Sequence, residues 1–248
     1  MCSGSWSEAA AGEDSRTVEG GSELCADATL LREDGLPPPR GDRAVGRGHT
    51  VPDHSQGVGM TGPVFPPWPA TSPVRGRLRL RPVEMRDSAM ARELSTDPYV
   101  SLTGSLPSCA TECEAKAWVR RQQMRHPEGA GFSFAIAIRA DDGAIGHCGL
   151  WLKELGEGRA TAGYAIVPSR RNQGFASEAL ALLTEFAWTV PGLRRVALHI
   201  ESWNVASLRT AENAGYVREG VLARHQMIGG EHRDMVLYAA IRQTGLAR

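Results

Sequence analysis

The thirteen residues from Ile166 to Glu178 constrain the fold of this chain more than any others. Apolar residues from about Ala160 to Val167 read as a strand. The strand runs into a basic, glycine-containing turn, Pro168-Ser169-Arg170-Arg171-Asn172-Gln173-Gly174. A long helix then opens and runs to about Trp188, with Ala176, Leu180, Leu183 and Ala187 on one face. The first N–H groups of such a helix lack internal acceptors and carry the positive end of its dipole. Gly174 and the small Ala176 let a ligand approach the backbone, and Arg170 and Arg171 add charge. The segment suits a pyrophosphate. It is neither a Walker loop, lacking G-K-[ST], nor a Rossmann fingerprint, lacking G-x-G-x-x-G. Taken alone, it also fits an ordinary strand–helix junction with solvated arginines.

The pattern around this junction predicts a mixed α/β (α+β) domain. Arg77–Arg81 alternates as a strand. Asp87 caps a helix to about Ser95, stopped by Asp97-Pro98. Thr111 and Glu114 form a capping box for a helix to about Arg125. Strands follow at 132–139 and 144–153, joined by the turn Asp141-Asp142-Gly143, and then the strand and long helix described above. A strand at 195–200, a helix at 205–213 ended by Gly215, and two strands near 221–228 and 234–241 complete the order β-α-α-β-β-β-α-β-α-β-β.

Upstream the composition changes. Residues 1–75 hold 11 Gly and 9 Pro and show no sustained period, so they are expected to form a disordered extension to a domain spanning 76–248. Two readings of 1–75 stand: a tail that binds a partner, or a segment outside the natural product, with translation starting at Met60. Basic and acidic residues balance at 28 each, which gives no general reason to expect nucleic acid or a membrane surface as partner. No apolar run approaches the roughly 18–20 residues of a membrane span. Five cysteines without C-x-x-C make a poor zinc site, so no metal is expected; they read as reduced thiols in a cytoplasmic protein.

A second segment, Asn204-Val205-Ala206-Ser207 followed by Ala214-Gly215-Tyr216, reads alone as an N-cap that presents Ser207 on the next turn. Together the two segments resemble the GNAT superfamily of acyl-CoA-dependent acetyltransferases: R-x-x-G-x-A at 171–176 is similar to its acetyl-CoA loop, and N-x-x-S at 204–207 to its second half-site. The closing Gly230-Glu231-His232-Arg233-Asp234-Met235-Val236-Leu237-Tyr238 resembles the ending of the RimJ/RimL branch, which acetylates the N-termini of ribosomal proteins. The resemblance covers about 77–242.

The resemblance implies a central mixed sheet of about seven strands with flanking helices, two of the strands splayed apart around pantetheine. It implies acetyl-CoA as cosubstrate. Backbone at Ile166 and Val167 would pair with the pantetheine arm, and N–H groups of Arg171, Asn172, Gln173, Gly174, Phe175 and Ala176 would hold the pyrophosphate. Asn204 would contact the pantetheine region, with Ser207 near the thioester sulfur as the catalytic residue. The implied partner is an amine acceptor attacked directly, a protein or peptide N-terminus first, with aminoglycosides, polyamines or amino-acid-like metabolites as alternatives. A non-catalytic acyl-CoA-binding module and a homodimer are also compatible with the family. Two positions depart from it. Thr161 stands where many relatives carry a Glu that helps deprotonate the amine, and Ala211 where others carry an acid Tyr. Glu154, Glu157, Glu201 and His199 remain as sources of a base. Trp151, Trp203 and Tyr164 read as core or as acceptor-groove lining, and the acceptor site is expected around Pro98–Pro107 and the last hairpin.

Overall fold

The computed structural model describes residues 65–243. In chain order the elements are β1 (Val74–Arg75), β2 (Leu78–Pro82), α1 (Ser88–Leu94), α2 (Pro98–Thr103), α3 (Glu112–Met124), β3 (Gly131–Ile138), β4 (Ala144–Trp151), β5 (Arg159–Ile166), α4 (Phe175–Ala187), β6 (Arg195–Glu201), α5 (Val205–Asn213), β7 (Val217–Ile228) and β8 (Glu231–Ile241). The strands form one mixed sheet in the order β1-β2-β3-β4-β5-β6-β8-β7. Only β5 and β6 are parallel. The sheet has eight strands rather than about seven because two-residue β1 joins its edge.

The helices cover both faces, as the apolar patterns require. Phe132 and Phe134 on β3 meet Phe186 of α4 edge-on at 4.8 and 5.1 Å. The alternate residue Ser133 meets Gln122 of α3 on the opposite face. Both faces of β3 are therefore buried, and its sequence is apolar almost throughout.

Three details differ from the pattern-based expectation. Asp97-Pro98 ends one helix but also starts α2: Asp97 accepts the Tyr99 N–H at 2.8 Å, and Pro98 occupies the first turn, where its missing N–H costs nothing. The described fold also reaches back past residue 75, since Trp68 lies 4.9 Å from Phe134 and Phe65 packs against His126 and Phe132. The expectations for 1–64, Met60 included, lie outside the described residues. Among the cysteines, Cys148 is a free, buried thiol, whereas Cys113 is disulfide-bonded, so the reading of five reduced thiols does not hold there. Among the described residues, no helix is long and apolar enough to cross a membrane.

A buried ion pair fastens β2 to the helical layer. Both Arg81 Nη atoms lie 2.8 Å from the Asp87 carboxylate, with the two side chains 4% and 2% exposed. Asp87 also accepts the Glu84 N–H. Removing one partner of such a pair strands the other charge. Asp87→Ala is expected to lower stability by about 3 kcal/mol, the low end for a broken buried pair because Asp142 still faces Arg81. Urea unfolding of the two proteins measures the difference.

Candidate active site

The parallel pair β5–β6 is bonded only at its start, Arg159, Ala160 and Thr161 against Arg195, Val196 and Ala197. Beyond that point β5 stays with β4 and β6 with β8, and a cleft of about 960 Å³ opens between them. The phase of the β4–β5 ladder decides which backbone groups face the gap. The Val167 N–H bonds to the Ile145 carbonyl, so the odd-numbered residues of β5 exchange bonds with β4. Ala162, Tyr164 and Ile166 therefore turn their polar backbone atoms to the cleft. Of the two residues that the resemblance assigns to pantetheine, Ile166 faces it and Val167 is already bonded to β4.

The loop before α4 closes one end of the cleft. Asn172 and Gly174 adopt left-handed conformations (φ 60° and 79°), which turn the chain into the helix. The N–H groups from Asn172 to Ser177 have no acceptor among the described residues. They form the donor set that a diphosphate needs, and the Gly174 Cβ position is open, with nothing nearer than an Arg77 nitrogen at 3.9 Å. The back of the loop is pinned. Arg77 bonds the Gln173 carbonyl and the Glu178 carboxylate, and its guanidinium stacks on Phe175 at 4.3 Å. Gln173 thus points its carbonyl away from the cleft. Arg171 is also committed, to Asp97 at 2.7 Å and to the Ile166 carbonyl at 3.0 Å. The donors offered here are backbone groups more than arginine side chains.

The second half-site lies across the gap. Asn204 caps α5 through its side-chain oxygen, which accepts the Ser207 N–H at 3.1 Å. Its side chain also hydrogen-bonds the Tyr99 phenol, and both residues line the cleft. Ser207 lines the cleft, and the Tyr164 hydroxyl comes to 3.4 Å from its carbonyl oxygen. Burial raises the Tyr164 phenol, an effect that Ser207 and Thr210 partly offset. The segment 99–106 and the last hairpin both reach the cleft, as do Trp151, Tyr164 and Trp203. Trp203 stands exposed, edge-on to Tyr99 at 4.8 Å.

The four side chains considered as bases separate clearly. Glu154 and Glu157 lie on an exposed turn and pair with Arg159. Glu201 is buried beside Tyr99, outside the cleft lining. His199 lines the cleft, stacked on His225 at 4.8 Å, and burial with that second imidazole holds its pKa below the usual value. The pattern reading missed His147, which also lines the cleft. Burial and then the Arg125 charge push it down to about 3, so its imidazole binds a proton too weakly to take one from an amine near pH 7. Among the described residues no cluster of His, Cys, Asp and Glu could hold a metal.

The left-handed Gly174 gives a direct test of the loop. A side chain in this conformation costs roughly 1–2 kcal/mol, and relieving the strain turns the N–H groups away from their common target. Gly174→Val is expected to weaken acetyl-CoA binding by about tenfold or more in calorimetric titration.

Comparison with known proteins agrees with this geometry. Residues 77–217 match the sequence model of the acetyltransferase (GNAT) domain. The chain is 28% identical over 167 residues to the uncharacterized N-acetyltransferase YnaD of Bacillus subtilis, covering 67% of this chain and 95% of that one. It is 25% identical over 167 residues to the uncharacterized N-acetyltransferase p20 of Bacillus licheniformis, covering 67% and 94%. Among solved structures, RimL, a ribosomal L7/L12 α-N-protein acetyltransferase in complex with coenzyme A, superposes with a TM-score of 0.59 at 21% identity, over 68% of this chain and 96% of that one. With a cleft between splayed parallel strands and a family match over more than half its length, the chain belongs to the GNAT acetyltransferase family.

Proposed function

We propose that this N-acetyltransferase acts on the α-amine of a peptide or protein, in the manner of the RimJ/RimL branch. One observation carries the reading. Among the described residues Asp97 is the only carboxylate lining the cleft, and it is held by Arg171 and the Tyr99 N–H. Thr161, on β5 at the cleft, cannot take a proton. Such a site suits an amine that is already neutral in good part. An α-amine of pKa 7.7–8.0 is roughly a quarter neutral at pH 7.4, a lysine amine of about 10.4 only about one part in a thousand. The Arg233-Asp234…Tyr238 ending and the RimL-like fold support the same branch.

Bound acetyl-CoA supplies the activated acyl group and a thiolate leaving group. This chain's residues do the rest. The N–H groups from Asn172 to Ala176 hold the diphosphate, and Ile166 and the Asn204 amide hold the pantetheine arm. The Ser207 hydroxyl, with Tyr164 beside it, donates to the departing sulfur. Ser207 is a weak acid, so it stabilises the thiolate more than it protonates it. His199 is the neutral base that receives the proton from the amine, directly or through water.

Two measurements test this. The purified protein is expected to acetylate peptides with a free α-amine and to leave N-terminally blocked, lysine-containing peptides unmodified; the reverse preference overturns the assignment. The pH profile tests His199. Amine and imidazole must both be neutral, so log kcat/KM is expected to be level above about pH 8, to fall with unit slope below the amine pKa, and to steepen to a slope of two below the His199 pKa. His199→Gln is expected to lower kcat about a hundredfold and to remove the steeper limb.

A further inference from the structure

The end of the cleft away from the diphosphate loop carries a cation with no anion. Arg125 follows α3, and its guanidinium stacks on Trp151 at 4.7 Å over one face of β4 and β5. The register places Trp151 opposite Thr161, and Gly149 opposite Gly163, on that face. A Cβ at Gly149 would meet Arg125 Nη1 at 2.9 Å, and a Cβ at Gly149 or Gly163 would meet the Trp151 ring at 3.1 or 3.0 Å. The paired glycines therefore hollow the sheet so that the indole and guanidinium can lie against it.

Among the described residues no side chain forms a close ion pair with this charge. Arg125 Nη1 is buried without a hydrogen-bond partner, and no carboxylate forms an ion pair with Arg125. The acid it feels is Glu128, at longer range, and burial acts against the charged form. The neighbouring polar groups are occupied: His147 Nε2 lies 2.6 Å from the Ser133 hydroxyl, which donates to Gln122. Thr161 offers only a hydroxyl. An unpaired guanidinium in such a place is costly unless a ligand completes it, and Arg125, Trp151 and Thr161 all line the cleft.

Resting on the α-amine reading above, we propose that Arg125 holds a carboxylate of the acceptor. The acceptor is then a peptide α-amine with an acidic side chain close by, that of an N-terminal Asp or Glu; a free amino acid, whose amine is more basic than that reading favours, is the other carboxylate source that the test separates. The planar fork takes both carboxylate oxygens while Trp151 supports its face. Polyamines, which bring positive charge to the same place, are rejected.

The test uses the full chain, acetyl-CoA and two matched pairs. An Asp-leading peptide against its Asn-leading counterpart reads the side-chain carboxylate. Free alanine against alaninamide reads the α-carboxylate. The acidic member of at least one pair is expected to show a kcat/KM tenfold or more above its amide. Arg125→Gln brings that ratio to about one, and Arg125→Lys keeps part of it. Equal rates within both pairs, or a preference that survives Arg125→Gln, overturn the proposal. Failure of the α-amine reading looks different: none of the four substrates is acetylated. A readout without turnover then decides. Calorimetric titration of N-acetylaspartate with coenzyme A present is expected to show binding at least tenfold weaker in Arg125→Gln. No binding to the unaltered protein at millimolar concentration overturns the proposal.

Discussion

The parting of β5 from β6 after Thr161 and Ala197 is the constraint on which the rest of this structure depends. Because the two strands are parallel, their C-terminal ends lie side by side, and the helices that follow them, α4 and α5, both begin at the mouth of the gap. Two positive helix ends converge there, which no antiparallel neighbour in this sheet could arrange. The separation also leaves the inner edges of both strands without ladder partners, and buried backbone groups must be paired. The cleft is therefore lined by peptide donors and acceptors at strand spacing. An extended amide-bearing chain such as pantetheine meets those requirements, and a compact apolar ligand does not.

Most of the fold is legible in the sequence because its signals are local. The alternation in β2, the apolar run of β5, the Thr111/Glu114 capping box and the Asp141–Gly143 turn each lie within a few residues, and each marks an element found in the structure. The misses have one physical origin. A residue that stops one element can start another, as Asp97-Pro98 does between α1 and α2. A segment rich in Pro and Gly looks featureless although two aromatic rings in it, Phe65 and Trp68, anchor it to β3. Composition averages over a window, but an anchor needs only one residue.

The site divides in the same way. The loop before α4 is contiguous, so its glycine, its basic turn and the N–H groups that open the helix can be read from one short stretch. The Val167 backbone could not be placed without the ladder phase, which depends on where β4 lies. The Arg125 hollow was invisible for a stronger reason. It needs the end of α3, two glycines on different strands and a tryptophan two residues along from one of them. No spacing in the chain marks that assembly; only the register of β4 against β5 does.

This arrangement bears on how the domain manages without the carboxylate that many relatives place at the position of Thr161. A carboxylate there would draw a proton from the amine, but it would also favour the ammonium form and would sit beside Arg125, neutralising it. Threonine leaves the guanidinium charge uncompensated. On the proposal above that charge is met by the carboxylate of the acceptor, so Arg125 positions the amine and leaves its proton to another group. The negative charge that develops on the thioester oxygen and then on the departing sulfur would face the positive ends of α4 and α5, while Arg125 would hold the acceptor. Threonine at 161 and an Arg125 left free for the acceptor are therefore one electrostatic change, with the amine's proton passing to His199 on the reading proposed above.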